Sequence, residues 1–175
     1  MNTGDNLSHV DGMGPLLEAL DPLMDFPGVF VPGSNCYFAP VFKNPARYLW
    51  QPRTPQMIEE GSRVALPIER MHDAFESRGW TGLVNRYDTL NLKGLRLEFS
   101  GVDDPHLRYD EHPGFAPGAF DEGEEPSVRI GVAHAPYMRT LHRFVQDGAQ
   151  AIFAGHTHGG QVCLPGGHAL VSNCD

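Results

Sequence analysis

Two of the nine histidines in this 175-residue chain lie close together in the segment Gly155-His156-Thr157-His158-Gly159-Gly160-Gln161. In an extended chain, the side chains at positions i and i+2 point to the same face, with Cα atoms about 6.5–7 Å apart. His156 and His158 could therefore coordinate one metal ion, or each could bind one of two neighbouring ions. The flanking glycines allow close approach of the backbone and positive φ angles.

Other candidate ligands also follow predicted strands. Asp5 comes after Met1–Thr3, which is interpreted as the end of a strand, and His134 follows the predicted strand Ser127–Ala133. Asn35 follows the predicted strand Gly28–Val31. Because α/β sheets place their sites at the carboxyl ends of strands, we expect these side chains to meet.

Several segments resemble the calcineurin-like metallophosphoesterases. Gly155–Gln161 is similar to the Gly-His-Thr-His motif of the bacterial branch that continues into Gly-Gly-Gln. Thr3–Asp5 resembles the Gly-Asp motif, and Val132–Pro136 resembles the single-histidine motif. Gly101–Pro105 is also similar to this branch, and Val29–Tyr37 lies where the family has Gly-Asn-His-Asp. The segments follow the family's order and span nearly the whole chain.

The resemblance implies a layered α/β β-sandwich flanked by helices, and a site for two divalent ions of the Mn, Zn, Fe or Mg class. By resemblance, Asp5 bridges both ions, His134 and His156 bind the second ion, and His158 binds the first. Two such ions, about 3.5–4 Å apart, activate water and stabilise the charge of a phosphoryl group. The implied activity is hydrolysis of a phosphodiester or pyrophosphate in a small lipid-type or nucleotide-type substrate.

The segment Gly33–Tyr37 departs from the family pattern. In an ungapped alignment, Ser34 replaces the metal-binding Asn, Asn35 the catalytic His, and Cys36 the Asp that orients it. Asn cannot protonate a leaving group, and loss of a general acid typically costs about 10²–10⁴ in rate. Alternatively, the loop shifts so that Asn35 supplies its carbonyl oxygen to the second metal. Cys36 is then a thiol near the site and a possible soft ligand.

The family's opening Asp-x-His motif does not appear before Asp5. We therefore expect residues 1–175 to form one incomplete metallophosphoesterase domain, truncated at both ends, whose first metal keeps only Asp5 and His158. Two protein ligands are fewer than the three of a typical catalytic zinc site, so this ion should bind weakly. The alternative function is that of a degenerate, non-catalytic interaction module with one metal or none.

The composition of the chain limits its expected binding partners and its expected location in the cell. A net charge of −9 without a basic stripe disfavours binding to a nucleic-acid duplex. No signal peptide is visible and no apolar run approaches the roughly 18 residues of a membrane span, which predicts a cytoplasmic chain or one peripheral to a membrane. Because this branch includes enzymes tethered by a preceding helix, the resemblance also implies membrane association of a full-length parent.

The predicted elements alternate between strands and helices, which is typical of an α/β domain. A 26-residue acidic, Gly- and Pro-rich segment at 101–126 is interpreted as a solvated loop or a flap beside the site. Besides the three strands named above, the sequence predicts helices at Pro15–Leu23, Pro67–Arg78 and Met138–Asp147, a strand at Ala151–Ala154, and hairpins at Leu83–Asn91 with Leu95–Gly101 and Gln161–Leu164 with His168–Val171.

The remaining polar candidates have weaker patterns. Cys36 could act as a nucleophile with His134 as its base, although a free Cys is often a small buried hydrophobe. A basic turn that follows the Gly33–Tyr37 segment could bind a substrate phosphate or could simply be solvated; it contains Lys43, Asn44 and Arg47. The other histidines are interpreted as structural or solvated, although His9 or His168 could approach the site; this group is His9, His72, His106, His112, His142 and His168.

Overall fold

The structure is a computed structural model that describes residues 1–41, 63–117 and 127–159, with positions 162–163, 165–166, 169–171 and 174. It confirms the predicted mixed α/β class. In the described part of the chain, no helix is both long and apolar enough to cross a bilayer. The elements in chain order are α1 (Met13–Met24), β1 (Gly28–Phe30), α2 (Ser34–Tyr37), α3 (Ile68–Ser77), β2 (Trp80–Gly82), β3 (Arg86–Leu92), β4 (Leu95–Gly101), β5 (Ser127–Ala133), α4 (Met138–Gln146), β6 (Ala151–Ala154), β7 (Val162–Cys163) and β8 (Ala169–Val171).

Two short elements differ from the sequence prediction. Ser34–Tyr37 was expected to be a loop but forms the single helical turn α2, because the N–H of Cys36 donates to the Gly33 carbonyl and the N–H of Phe38 donates to that of Ser34. Strand β2 was not predicted, since three residues that include a glycine carry no readable alternation. Strands β5 and β6 have the predicted bounds.

The strands form three sheets. In the four-stranded sheet the order is β3-β4-β5-β6; β3 and β4 are antiparallel, whereas β4, β5 and β6 are parallel. Strand β1 pairs in parallel with β2, and Asn2 forms a parallel bridge to Phe30. The predicted terminal hairpin is represented by the antiparallel pair β7-β8.

The four-stranded sheet and the β1-β2 sheet share a core. Side chains alternate between the faces of a strand, so Phe30 of β1 packs on one side against α1 and α3. Val29 and Val31 point to the other side, where they pack with Phe99, Ile130 and Val132 of the four-stranded sheet. Helix α4 covers the opposite face of that sheet through Phe144. The described elements thus form helix, sheet, sheet and helix layers.

In β4, Leu95, Leu97 and Phe99 alternate with Arg96, Glu98 and Ser100, a pattern that predicts a half-buried strand, and this expectation is wrong. Glu98 and Ser100, on the polar face, are both 0% exposed. The Glu98 carboxylate lies 3.1 Å from Arg96 Nε and 3.1 Å from Arg129 Nε. Strand β4 lies between β3 and β5, and its polar face is covered. The alternation therefore separates an apolar buried face from a polar buried face.

The described part of the acidic segment is also packed rather than solvated. Asp103 and Asp104 are 8% and 0% exposed, respectively. Asn85 Oδ1 accepts hydrogen bonds from the N–H groups of Asp103 and Glu111, and Tyr37 donates its hydroxyl to Asp103. The solvated-loop interpretation is therefore wrong for this part, and its remainder at 118–126 lies outside the described residues.

Candidate metal centre

Parallel strands bring the predicted ligands together. Asp5 follows the Asn2 bridge, and His134 follows β5. His156 and His158 follow β6, whose last residue, Ala154, lies opposite the last residue of β5. The N–H of Gly155 donates to the His134 carbonyl at 2.8 Å, which ties the two loops to each other. The expected convergence at one edge of the sheet is thus observed.

Three of these side chains form a compact group. Asp5, His134 and His156 each offer one ligand atom, and these atoms all lie within 4.8 Å of one another. His134 Nε2 is 3.4 Å from Asp5 Oδ2 and 3.0 Å from His156 Nδ1. His134 Nδ1 donates to the Thr3 carbonyl at 2.6 Å, which in the neutral ring leaves the lone pair on Nε2. Two nitrogens and a carboxylate oxygen can thus bind one divalent ion.

Asn35 contacts the same carboxylate. Its backbone N–H donates to Asp5 Oδ1 at 2.8 Å, and its side-chain Nδ2 donates to Asp5 Oδ2 at 3.1 Å. Asn35 therefore lies at the site, as predicted, and orients both oxygens of Asp5. This orienting role was not expected from either alignment of the Gly33–Tyr37 segment.

His158 lies in the same open cleft but not in the compact group. The cleft has a volume of about 360 Å³ and is lined by Asp5, His134, His156 and His158, among others. His158 does not belong to the group whose ligand atoms all lie within 4.8 Å. A second ion would therefore have Asp5 and His158 as its candidate ligands among the described residues.

Backbone strain is concentrated at these ligands. Among the described residues, six non-glycine positions have positive φ, and three of them are Asp5 at 57°, His156 at 70° and His158 at 52°. Such conformations cost of the order of 1–3 kcal/mol each and cluster at functional sites. Glycine at position 33 is also required, because a Cβ there would lie 2.6 Å from Asp5 Oδ1 and 2.6 Å from the His134 ring.

The electrostatics favour the metal-binding protonation states of Asp5 and His156, whereas in metal-free protein they favour the protonated form of His134. Burial disfavours the charged form of Asp5, but the hydrogen bond and charge of His134 outweigh it, so the pKa of Asp5 lies below its ordinary value. For His134, burial is likewise outweighed by Asp5, and its pKa is raised. Burial, together with His106 and His134, lowers the pKa of His156 to about 4. At pH 7 Asp5 is thus ionised and His156 is neutral, as ligands must be.

Cys36 does not belong to this group of ligands. It is 0% exposed and packs in the core cluster beneath α1 and α3. Its Sγ accepts hydrogen bonds from the N–H groups of Asn6 and Gly33, and burial raises the pKa of the thiol. The structure therefore supports neither a soft ligand nor a nucleophile at Cys36, and instead supports the interpretation as a small buried hydrophobe.

One histidine at the site was missed. His106 was grouped with the solvated histidines, but its ring lies 4.7 Å from that of His156, between centroids. It follows the buried Asp104, whose carboxylate accepts the N–H of His106 at 2.7 Å. The pattern Asp103-Asp104-Pro105-His106 was the available signal, since an Asp two residues before an N–H often closes a turn.

The other histidines lie elsewhere. His72 packs edge-on against Phe30, and His112 contacts Asp147 and Phe144. His9 is exposed beside Asp11, and His142 is exposed on α4. These positions agree with structural or solvated roles. The remaining candidates lie outside the described residues: Lys43, Asn44, Arg47 and His168.

Comparison with known proteins gives little further information. No family model matches the chain, and no solved structure matches it. An uncharacterized protein of Bacillus subtilis (strain 168), YpbG, is 30% identical over 95 residues, which make up 53% of this chain and 34% of that protein. The match therefore spans about a third of the length of this curated relative.

Proposed function

We propose that the chain belongs to a metal-dependent phosphoester hydrolase of the calcineurin-like metallophosphoesterase type. The observation that carries this proposal is the group Asp5, His134 and His156, whose ligand atoms lie within 4.8 Å of one another in an open cleft. Two further observations support it. The motifs follow the family's order along the chain, and the four-stranded sheet packs on the β1-β2 sheet in layers, as the resemblance implies.

The side chains have distinct roles in this proposal. Asp5 Oδ2, His134 Nε2 and His156 Nδ1 hold one divalent ion, while Asp5 and His158 contribute to a second. When bound, such ions supply Lewis acidity and a nucleophilic water for in-line attack at phosphorus. The Thr3 carbonyl keeps the proton of His134 on Nδ1, so Nε2 remains a ligand. Asn35 orients the Asp5 carboxylate through its backbone N–H and its Nδ2.

The substrate in this proposal is a small phosphodiester or pyrophosphate of the lipid or nucleotide type. Asn35 cannot donate a proton to the leaving group, because an amide is not an acid at neutral pH. The protein therefore hydrolyses activated esters faster than alkyl esters, since an activated leaving group departs without protonation. A site with a general acid would show a weaker preference for activated esters, so this preference tests the proposed absence of the acid.

The rival proposal is a metallophosphoesterase-type interaction module without catalysis. Two observations favour it: neither Ser34 nor Asn35 has a side chain that could act as a general acid, and Cys36 is deeply buried. The compact ligand group opposes the metal-free form of this module. Without a metal, nothing would compensate the strained backbone that brings two imidazoles and a carboxylate together.

The experiment is hydrolysis of bis(p-nitrophenyl) phosphate by protein loaded with Mn²⁺, with His156→Ala as the test variant and His142→Ala as the matched control on exposed α4. Metal-dependent turnover that is lost in His156→Ala and kept in His142→Ala supports the hydrolase. Metal binding without turnover favours the interaction module. Equal turnover in all three proteins excludes the metal site as the source of activity.

A further inference from the structure

The ring of His156 contacts two other imidazoles. The His134 ring has its centroid 4.9 Å away, with the planes at 72°. The His106 ring has its centroid 4.7 Å away, with the planes at 41°. The contact with His134 connects two candidate ligands, whereas His106 is not one of the group with converging ligand atoms.

His106 is itself fixed from two directions. Its backbone N–H donates to Asp104 Oδ1 at 2.7 Å, and Asp104 is 0% exposed. Its Nδ1 forms a hydrogen bond of 2.9 Å with the Tyr137 hydroxyl, and the two rings are stacked at an angle of 25°. Tyr137 directly precedes α4 and follows His134 by three residues, so the same loop supplies a ligand and the residue that anchors His106.

The loop that carries His106 is fastened to α4. Arg139 Nη2 donates to the Pro105 carbonyl at 2.8 Å and to Asp110 Oδ1 at 2.5 Å. Thr140 Oγ1 donates to the other oxygen of Asp110 at 2.9 Å. Residues on both sides of His106 are thus bonded to the first turn of one helix, which restricts movement of its ring relative to His156.

We propose that His106 is a positioning residue for the metal centre, which packs against His156 and holds its Nδ1 towards His134 Nε2 and Asp5. The backbone of His156 is strained, with φ at 70°, so this ligand needs support from outside its own loop. The proposal rests on the proposed metal site. It assigns His106 a mechanical role through its ring and gives it no bond to the ion.

The test is titration of metal-free protein with Co²⁺, followed by calorimetry and by the visible absorption of the bound ion. His106→Ala should weaken binding about 10–100-fold, as expected for loss of a group that orients a ligand. It should also change the intensity of the Co²⁺ absorption, which a loss of general stability would not do. His106→Phe keeps an aromatic ring against His156 but loses the bond to Tyr137, so it should bind more tightly than His106→Ala and more weakly than the wild type. His142→Ala is the control, and circular dichroism checks the fold of each variant.

Two outcomes would overturn the proposal while leaving the proposed function intact. One is His106→Ala that binds Co²⁺ as tightly as the wild type, with the same spectrum. The other is His106→Phe that binds as weakly as His106→Ala, because the ring nitrogens rather than the packing would then matter. A folded wild-type protein that binds no Co²⁺ would instead overturn the proposed metal site, and the positioning role with it.

Discussion

Two groups of charged side chains adjoin β5, and they are built differently: the sheet group spans β4 and β5, whereas the cleft group lies beyond the ends of β5 and β6. In the sheet group, Glu98 lies between Arg96 and Arg129, with 3.1 Å to each guanidinium nitrogen. In the cleft group, Asp5 lies 3.4 Å from His134 Nε2, which in turn lies 3.0 Å from His156 Nδ1. The first group joins regular strands, whereas the second joins loops.

The difference lies in what satisfies each charge. The Glu98 carboxylate is 0% exposed and has two permanently charged partners, so its charge is offset within the protein, although its Oε1 has no hydrogen-bond partner. The cleft group brings two imidazole nitrogens towards each other at an open surface and holds Asp5 and His156 at positive φ. A group that costs strain and leaves lone pairs converging is better explained by a bound cation than by stability.

The largest expected effect is on activity and comes from His156→Ala. Loss of one of three ligands should release the ion, which stabilises transition-state charge by several kcal/mol, so turnover should fall more than about 10³-fold. Hydrolysis of bis(p-nitrophenyl) phosphate measures the loss. The free energy of unfolding without metal should hardly change, and a variant with wild-type turnover would contradict the ligand role.

Removing the centre of the sheet group should affect stability instead. Glu98→Ala leaves two partly exposed guanidinium groups without their shared partner, which should cost about 1.5–3 kcal/mol, the usual worth of a hydrogen bond to a charged group. Urea denaturation measures this loss, and the exposed Glu18→Ala on α1 is the matched control. If the folded Glu98→Ala protein bound Co²⁺ much more weakly than the wild type, the separation between the two groups would be wrong.

Asp104 is a second buried carboxylate, and its Oδ2 has no hydrogen-bond partner. Burial raises the pKa of Asp104 from 3.8 to about 7. Taken alone, Asp104 makes the folded state bind more protons than the unfolded state between these values, so its contribution to stability falls as the pH rises from about 4 to 7. His156, whose pKa is lowered to about 4, contributes in the opposite direction over much of this range. Asp104→Asn should remove only the falling contribution, so its stability should rise more with pH than that of the wild type in metal-free protein.

The measurement for Asp104 is the urea midpoint across this pH range in the presence of EDTA. Asp73→Asn, at an exposed position on α3, is the control and should keep the wild-type slope. An Asp104→Asn curve that runs parallel to the wild-type curve across this range would argue against a protonated Asp104 in the folded state.

The smallest expected effect is that of Asn35→Ala. The variant keeps the backbone N–H bond to Asp5 Oδ1 but loses the bond from Nδ2 to Oδ2, so Asp5 is held by one contact instead of two. Metal binding should weaken about tenfold, a typical cost for an orienting bond. Calorimetry with Co²⁺ measures it against Asn91→Ala, an exposed position on β3. Complete loss of binding would instead indicate that Asn35 is a direct ligand.

Much of the cleft group could be predicted from the sequence. His134 and His156 follow apolar strands whose bounds were predicted correctly, and parallel pairing places the residues after such strands side by side. Asp5 was found from the glycine turn after Met1–Thr3, which was interpreted as the end of a strand, and from the resemblance of Thr3–Asp5 to the Gly-Asp motif. These ligands are predictable because strand ends and glycines leave local patterns.

The surroundings of the group could not be predicted in the same way. His106 and Asp104 lie in a segment whose composition favours solvent, yet Asp104 is buried and His106 half-buried. Asn85, Tyr37 and Arg139 bind that segment from distant positions in the sequence. The burial of Glu98 depends likewise on Arg129, which is 31 residues away. Such contacts follow from tertiary packing, which a local periodicity does not report.

The most direct test of the central claim is the metal content per chain, measured by elemental mass spectrometry after purification with Mn²⁺ and Zn²⁺ present. The account predicts at least one tightly held ion per wild-type chain, and its loss in His156→Ala but not in His142→Ala. Folded wild-type protein without bound metal, or a His156→Ala variant with the same content, would contradict a metal centre at Asp5, His134 and His156.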